Sequence, residues 1–437
     1  MAPSPITIGN LLCVRLKRDI IFRKSGYVGM TYSLQLRLSL RQIVLLFMMW
    51  SNTVIWALAD QPVTEHVDMP TSVLYQRIFS GKGGYPELIR GSVDARFSGE
   101  GLHITGKDQL VRLNHYYALA ERLIRYYVRF SGDSKAVFQS DKGDFKAFVD
   151  MGHKRIFLDT DPVSEKNVNF LDADHDYIVE VHRDYQTSKL RIIDLFTGDT
   201  AEVAATMDGT GGCGAGAIGT GFFVGRQYDY YCFGLVEGTE LLVKQICVLA
   251  KESDLTLLIY GDSITEPEGY FPTADFPRSW TQLIMENMQK RAMSSGRGGT
   301  TINELLERIK NELPYVHAKY VMVTIGTNGG NTEENLSELV EYILSQGSIP
   351  ILNNIPCNES GTQIPINAML EQVRQKYGIK GCRFDLATSL NHDGQEVDKT
   401  TMYFEDYDWG KIYHHPNVKG SLLMYTQTLI DVPEIYE

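Results

Sequence analysis

The sequence predicts two folded parts: an all-β jelly-roll sandwich, followed by a three-layer α/β domain built on a parallel sheet. Three observations carry this. Between roughly residues 70 and 250, short apolar runs of strand length recur between turn residues, with no long helical period. From Asp254 onward, buried-strand runs alternate with helical periodicity, the pattern of a parallel sheet covered by helices on both faces. The ends of those later strands carry Gly261-Asp262-Ser263, Gly326-Thr327-Asn328 and, further on, His415-Pro416-Asn417. Open parallel sheets place their chemistry at that carboxyl edge.

Size and charge narrow the function. The chain has 437 residues, 43% hydrophobic and 22% charged, enough for two or three domains with proper cores. A formal net charge of -12 argues against a general binder of nucleic acid or of anionic membrane. The one basic cluster, Arg15, Lys17, Arg18, Arg23 and Lys24, stands at the start of the chain. Arg37 and Arg41 precede the apolar run Ile43 to Trp50, and Ala57-Leu58-Ala59 follows as a small-x-small site. This predicts a signal peptide cleaved after Ala59 and a secreted or periplasmic protein. The run is too short for a comfortable membrane anchor, so the mature chain is expected to carry no stable membrane span. The division expected is 1–59 for the extension and signal peptide, 60–252 for the sandwich and 253–437 for the α/β domain.

Loss of Cys13 with that signal leaves Cys213, Cys232, Cys247, Cys357 and Cys382, an odd set that cannot pair completely within the chain. None has metal-ligand spacing, and no metal or other cofactor is expected.

Taken in order, the first half offers strands at Leu123 to Phe130, Phe145 to Val149, Arg155 to Leu158, Gly221 to Val224 and Leu241 to Leu249. A hairpin joins Tyr177–Arg183 to Leu190–Leu195 across the polar turn Gln186-Thr187-Ser188. The Gly-rich stretch Gly209 to Gly221 reads as a loop. In the second half, Leu255–Tyr260, Tyr320–Ile325 and Ile349–Leu352 read as strands, and Cys382–Phe384 as the start of a fourth. A helix carries Trp280, Leu283, Ile284 and Met288 on one face. Thr301 and Thr332 are placed to cap two more.

The strand ends hold the candidate chemistry. Ser263 follows a buried strand directly, beside a glycine that permits a tight turn, where a nucleophile belongs. Alone, Gly-Asp-Ser is more simply a helix-capping turn. Asn328 after the second strand offers an amide that can stabilise an oxyanion, although a left-handed turn explains it equally well. Ser295 to Thr301 is Gly-rich and precedes a helix, so its backbone N–H groups suit anionic oxygen. It lacks the lysine and the glycine spacing of a phosphate loop. Pro416 keeps His415 out of the final helix and so on a loop. Of the other histidines after Ser263, His317 sits at the wrong edge of the sheet and His392 lies in a polar loop; His414 is the nearest rival.

Four such blocks in this order resemble the SGNH (GDSL-like) hydrolase family. Gly261-Asp262-Ser263, Gly298 in the form Gly-x-Thr-Thr, Gly326-Thr327-Asn328 and His415-Pro416-Asn417 match its blocks over about residues 254–435. The resemblance implies a flavodoxin-like parallel sheet. It implies Ser263 as nucleophile, His415 as base, and the Ser263 and Gly298 N–H groups with the Asn328 side chain as oxyanion hole. Asp262 is then expected to shape the turn. The first half resembles, more loosely, the laminin-G/concanavalin-like sandwiches beside such domains in secreted bacterial carbohydrate esterases.

One position departs from the pattern: Ile412 stands where the family places an Asp, three residues before the histidine. Loss of the acid from a serine triad costs about 10⁴ in turnover. Three readings are open: a nearby carboxylate replaces it, with Asp408 first and Asp406 and Glu405 beside it; a backbone carbonyl orients the ring; or activity is lost. The function expected is a secreted esterase removing acyl groups, chiefly acetyl, from a glycan or small ester. The alternative is an inactive hydrolase domain in a carbohydrate-binding protein. Tyr270, Phe271 and Phe276 could wall the crevice or pack the next helix. Tyr126, Tyr127, Tyr228, Tyr230 and Tyr231 could stack on sugar, though strand tyrosines more often make core.

Overall fold

The computed structural model describes residues 17–22, 28–33 and, from 72 onward, all but 82–83, 91–93, 142, 144, 161–162, 207–228, 267–274, 290 and 408–409. The expected signal peptide and its cleavage site, and the expected strand Gly221 to Val224, lie outside the described residues. The chain divides into two compact units, Met1–Asp68 and Met69–Glu437. In the first, Lys17–Phe22 and Val28–Ser33 pair as an antiparallel hairpin.

The second unit begins with two antiparallel sheets. One runs, edge to edge, Ser164–Asn167, Arg155–Leu158, Lys146–Asp150, Lys135–Ser140, Asp229–Glu237, Gln109–Tyr117 and Leu88–Ile89. The other runs Thr200–Thr206, Thr187–Asp194, Asp176–Asp184, Glu121–Phe130, Glu240–Ala250, Gly101–Thr105 and Ala95–Ser98, with Ser72–Ile78 also paired to Glu240–Ala250. They pack face to face: the Tyr126 ring of one lies 4.7 Å from Phe138 and 5.3 Å from Phe233 of the other. The predicted hairpin is present, with Asp184 opposite Thr187 at its tight end.

Strand type changes after Ala250. Four parallel strands stand in the order Ala292–Gly296, Leu255–Gly261, Ala318–Thr324, Ile349–Leu352. The first of these carries no strand signal in its residues, because Ala-Met-Ser-Ser-Gly has no β-branched side chain, yet all five positions are buried. The fourth strand expected at Cys382 does not form. Lys380 makes one parallel bridge to Ile351, and the Leu352 and Asn354 N–H groups donate to Lys380 and Cys382. The chain then turns into the short helix Phe384–Thr388. Thr301 closes a capping box with Glu304 on the helix Ile302–Glu312, and Thr332 caps Glu333–Ser345. No helix among the described residues is long and apolar enough to cross a membrane. Cys232, Cys247, Cys357 and Cys382 are free, buried thiols.

The sandwich and the parallel sheet share one apolar core, which runs from Leu74 to Val373. They meet at the fully buried segment Ala118–Ala120, whose backbone polar groups would be costly without partners. Each has one. The Ala118 and Leu119 N–H groups donate to Glu312 Oε1 at 2.6 and 3.2 Å, and the Ala120 N–H to the Ser294 carbonyl at 2.9 Å. The Ala118 carbonyl accepts from Arg183 Nη1, that of Leu119 from Arg183 and Arg122, and that of Ala120 from the Tyr185 N–H. Glu312 Oε2 also accepts from the Ser295 hydroxyl at 2.7 Å, tying the seam to the edge strand.

Glu312→Ala strands two backbone N–H donors and a hydroxyl in a dry interface. It is expected to lower the free energy of unfolding by about 3 kcal/mol or more. Equilibrium denaturation in urea checks this; a loss under about 1 kcal/mol would show that the seam is not a structural requirement.

Candidate active site

The nucleophile turn is built by close backbone approach. At Gly261 a Cβ would lie 2.1 Å from Thr265 Oγ1 and 2.4 Å from the Thr324 carbonyl oxygen, so no side chain fits there. At Gly296, on the neighbouring strand, a Cβ would lie 2.4 Å from the Thr265 carbonyl carbon. The turn residues Asp262 to Glu266 are thus seated between two strands that must be bare at those points. Asp262 closes the turn: its side chain accepts from the Ile264 N–H at 3.1 Å, and its carbonyl accepts from the N–H groups of Thr265 and Glu266. The Trp280 indole N–H holds the Ile264 carbonyl at 2.8 Å, from the helix Trp280–Asn287.

At the tip, Ser263 Oγ lies 2.7 Å from His415 Nε2, across 152 positions of sequence. His415 does not sit on a loop as expected. It belongs to the strand Gly410–Pro416, paired antiparallel with Met402–Tyr407 in a two-stranded ribbon. Pro416 ends that strand, and Asn417 caps the helix Val418–Asp431 by accepting from the Gly420 N–H. The other ring nitrogen, Nδ1, lies 2.8 and 2.9 Å from the two carboxylate oxygens of Glu405. Ser263, His415 and Glu405 are 6%, 4% and 0% exposed. An ionised carboxylate only accepts, so the Nδ1 proton faces Glu405 and the Nε2 lone pair faces the serine hydroxyl.

Glu405 is the cross-strand partner of Ile412, the residue at the family's acid position. The carboxylate therefore reaches the imidazole from the adjacent strand rather than from the histidine's own. Asp408, ranked first from sequence, lies outside the described residues. Asp406 points elsewhere, paired with Lys411 at 2.8 Å and exposed. His414 packs edge-on against His415, ring centroids 4.4 Å apart; burial, then the neighbouring His415, pushes it down to about 3. The hydrogen bond of Ser263 Oγ goes to His415 Nε2 and not to this ring.

Two of the three expected oxyanion donors, Gly298 and Asn328, each have a protein partner at this edge of the sheet. The Gly298 N–H donates to a carboxylate oxygen of Glu266, a fully buried residue three positions after the nucleophile. Asn328 Nδ2 donates to the Thr300 carbonyl at 3.2 Å, joining the third block to the second. An amide carries two N–H groups, so this bond fixes the side chain and leaves the second to donate elsewhere. The Arg297 N–H donates to the Gly261 carbonyl at 3.2 Å, docking the Gly-rich loop beside the nucleophile strand. Arg308, fully buried, clamps the same corner by donating to the Gly261 and Ser295 carbonyls.

Among the aromatic candidates, Tyr126, Tyr127 and Tyr231 are buried, and Tyr230 is half-buried on the sandwich face. Phe276 packs toward Tyr185 at 6.1 Å, and Tyr228, Tyr270 and Phe271 lie outside the described residues. Among the described residues, no group of three or more His, Cys, Asp or Glu is arranged to hold a metal ion.

No protein-family model and no curated protein matches the chain. Among solved structures it is similar to TesA (17% identity, 41% of this chain and 98% of that chain, TM-score 0.34). It is similar also to a catalytic mutant of Axe2, an acetylxylan esterase from Geobacillus stearothermophilus (16%, 41% and 94%, TM-score 0.32). A third likeness is to the exoplasmic/lumenal domain of VIP36 (9%, 41% and 92%, TM-score 0.31). Likenesses this distant leave the functional reading to the geometry of the site.

Asp262 supplies a test of how the turn is held. Burial pushes its carboxyl up to about 6, against the Ile264 N–H bond and the charge of His415, which pull it down. Its proton is held more tightly folded than unfolded. The ionised form therefore costs stability above pH 6, a cost that fades as pH falls toward 4. At 1.36 kcal/mol per unit this is about 2–3 kcal/mol. Asp262→Asn keeps the acceptor for Ile264 and removes the charge. It is expected to stabilise the protein by about 2 kcal/mol more at pH 8 than at pH 4 in denaturant titrations; a pH-independent difference contradicts a buried carboxylate here.

Proposed function

We propose that this protein is a serine hydrolase of the SGNH (GDSL-like) type that cleaves acyl esters, chiefly acetyl, carried on a carbohydrate outside the cytoplasm. The observation that supports it most is the line Glu405–His415–Ser263, with donor–acceptor distances of 2.8 and 2.7 Å at the end of a parallel strand. The secreted location rests on the apolar run and small-x-small site before residue 60.

The chemistry follows from the groups. Ser263 Oγ attacks the ester carbonyl carbon while His415 Nε2 takes the hydroxyl proton; Glu405 holds the ring in the required tautomer and steadies the imidazolium. The carbonyl oxygen becomes anionic and is met by the N–H groups of Ser263 and Gly298 and by the Asn328 amide. The Gly298 N–H donates to a Glu266 carboxyl oxygen, which the substrate oxygen must displace. On collapse the bond to the leaving alcohol breaks, and that alcohol takes the proton from Nε2. Water then attacks the acyl-serine with His415 again as base, releasing the acid and restoring Ser263. The carboxylate of Glu405 on Nδ1 favours an active enzyme over an inactive domain in a carbohydrate-binding protein.

With p-nitrophenyl acetate as substrate, Ser263→Ala is expected to abolish turnover without unfolding the protein. Glu405→Gln is expected to lower kcat by about 10³–10⁴, and Asn328→Ala by a hundredfold or more. Asp406→Asn is expected to stay within about twofold of wild type, as an exposed change outside the hydrogen-bonded line. A wild-type rate in Ser263→Ala overturns the nucleophile; a wild-type rate in Glu405→Gln overturns the acid.

A further inference from the structure

A cavity of about 530 Å³ lies where the sandwich meets the catalytic loop. From the sandwich it is lined by Tyr116, Tyr230 and Asp141, and from the α/β half by Gly298, Asn303 and Glu307. Tyr116 and Tyr230 are cross-strand partners, half-buried, with ring centroids 5.4 Å apart at 62°. Each ring is backed by a cation: Arg112 lies 4.6 Å from the Tyr230 centroid, and Arg308 lies 5.7 Å from that of Tyr116. Asn311 of the helix Ile302–Glu312 donates to the Tyr116 carbonyl at 3.2 Å, fixing the backbone that carries that ring.

Such a cleft has a definite chemistry. A tyrosine face carries negative π density that suits the aliphatic C–H face of a sugar ring, and its hydroxyl offers a polar edge. Three carboxylates, Asp141, Glu304 and Glu307, outnumber the one guanidinium of the lining, Arg297, and suit ligands rich in O–H donors. Gly298 belongs both to this lining and to the expected oxyanion hole, so a ligand here adjoins the reacting centre.

Resting on the esterase reading above, we infer that this cleft is the glycan subsite of the enzyme. It holds a neutral sugar chain between the sandwich tyrosines and the Gly298 loop, so that an acyl group on one hydroxyl reaches Ser263. The sandwich is then part of the substrate site, with Tyr116 and Tyr230 as specificity-determining residues.

The test compares acetylated xylo-, manno- and cello-oligosaccharides with p-nitrophenyl acetate, which is too small to span the cleft. Wild-type enzyme is expected to favour at least one oligosaccharide in kcat/KM. Tyr116→Ala and Tyr230→Ala are each expected to lower that preference tenfold or more, mainly through KM, while the Phe variants retain most of it. Glu307→Ala, an exposed helix position that does not endanger folding, is expected to lower it severalfold. A preference unchanged in all the Ala variants overturns the subsite, as does a wild type that favours none of the three oligosaccharides. If wild type fails to hydrolyse even p-nitrophenyl acetate, the esterase reading falls separately. Calorimetric titration of Ser263→Ala protein with the same oligosaccharides then decides the cleft: binding weakened by Tyr230→Ala supports it, and no binding overturns it.

Discussion

A histidine draws a proton from a serine far faster when its second ring nitrogen is held, and here a fully buried glutamate holds it. Glu405 and His415 stand on the two strands of one ribbon, and that ribbon carries the base to Ser263. A buried carboxylate is tolerated where it is paired, and truncating one partner leaves the other charge uncompensated. The pair thus serves the fold as well as the chemistry. It fixes the register of the ribbon at the point where the ring must be aimed.

The ribbon alone could not place the site. The nucleophile turn fits only because Gly261 and Gly296 let Thr265 and Glu266 press against two strands. The Gly-rich loop is docked on the same strand by the Arg297 N–H and by the fully buried Arg308. Around this corner the sandwich is sealed by Glu312, Arg122 and Arg183, which supply partners for a segment of backbone that no water reaches. The same helix thus begins at the catalytic loop and ends in the seam. A cleft walled by both halves is the natural outcome of that arrangement.

Much of this was legible in the sequence, for reasons that are local. Strand runs such as Arg155–Leu158 and Ile349–Leu352 carry their own propensity, and Thr301 with Glu304 writes a capping box into four residues. Ser263, Gly298, Asn328 and His415 stand in motifs whose meaning lies in immediate neighbours. What escaped depends on pairing between distant positions. Glu405 stood among three candidate acids, and only the register that sets it opposite Ile412 distinguishes it. A signal was present: aromatic and β-branched residues at Tyr403, Phe404, Ile412 and Tyr413 flank Asp408-Trp409-Gly410, a hairpin pattern. The edge strand Ala292–Gly296 was hidden because its small residues serve close approach to the nucleophile turn rather than apolar packing. Tyr116 gained its place only when folding put it beside Tyr230.

The most direct measurement of the central claim is covalent trapping. A fluorophosphonate ester reacts with a serine made nucleophilic by an adjacent base, and peptide mass spectrometry locates the adduct. One phosphonyl group per chain is predicted, on Ser263, with labelling abolished in His415→Ala protein. An adduct on another residue, or labelling of Ser263 that proceeds unchanged without the imidazole, would contradict the account.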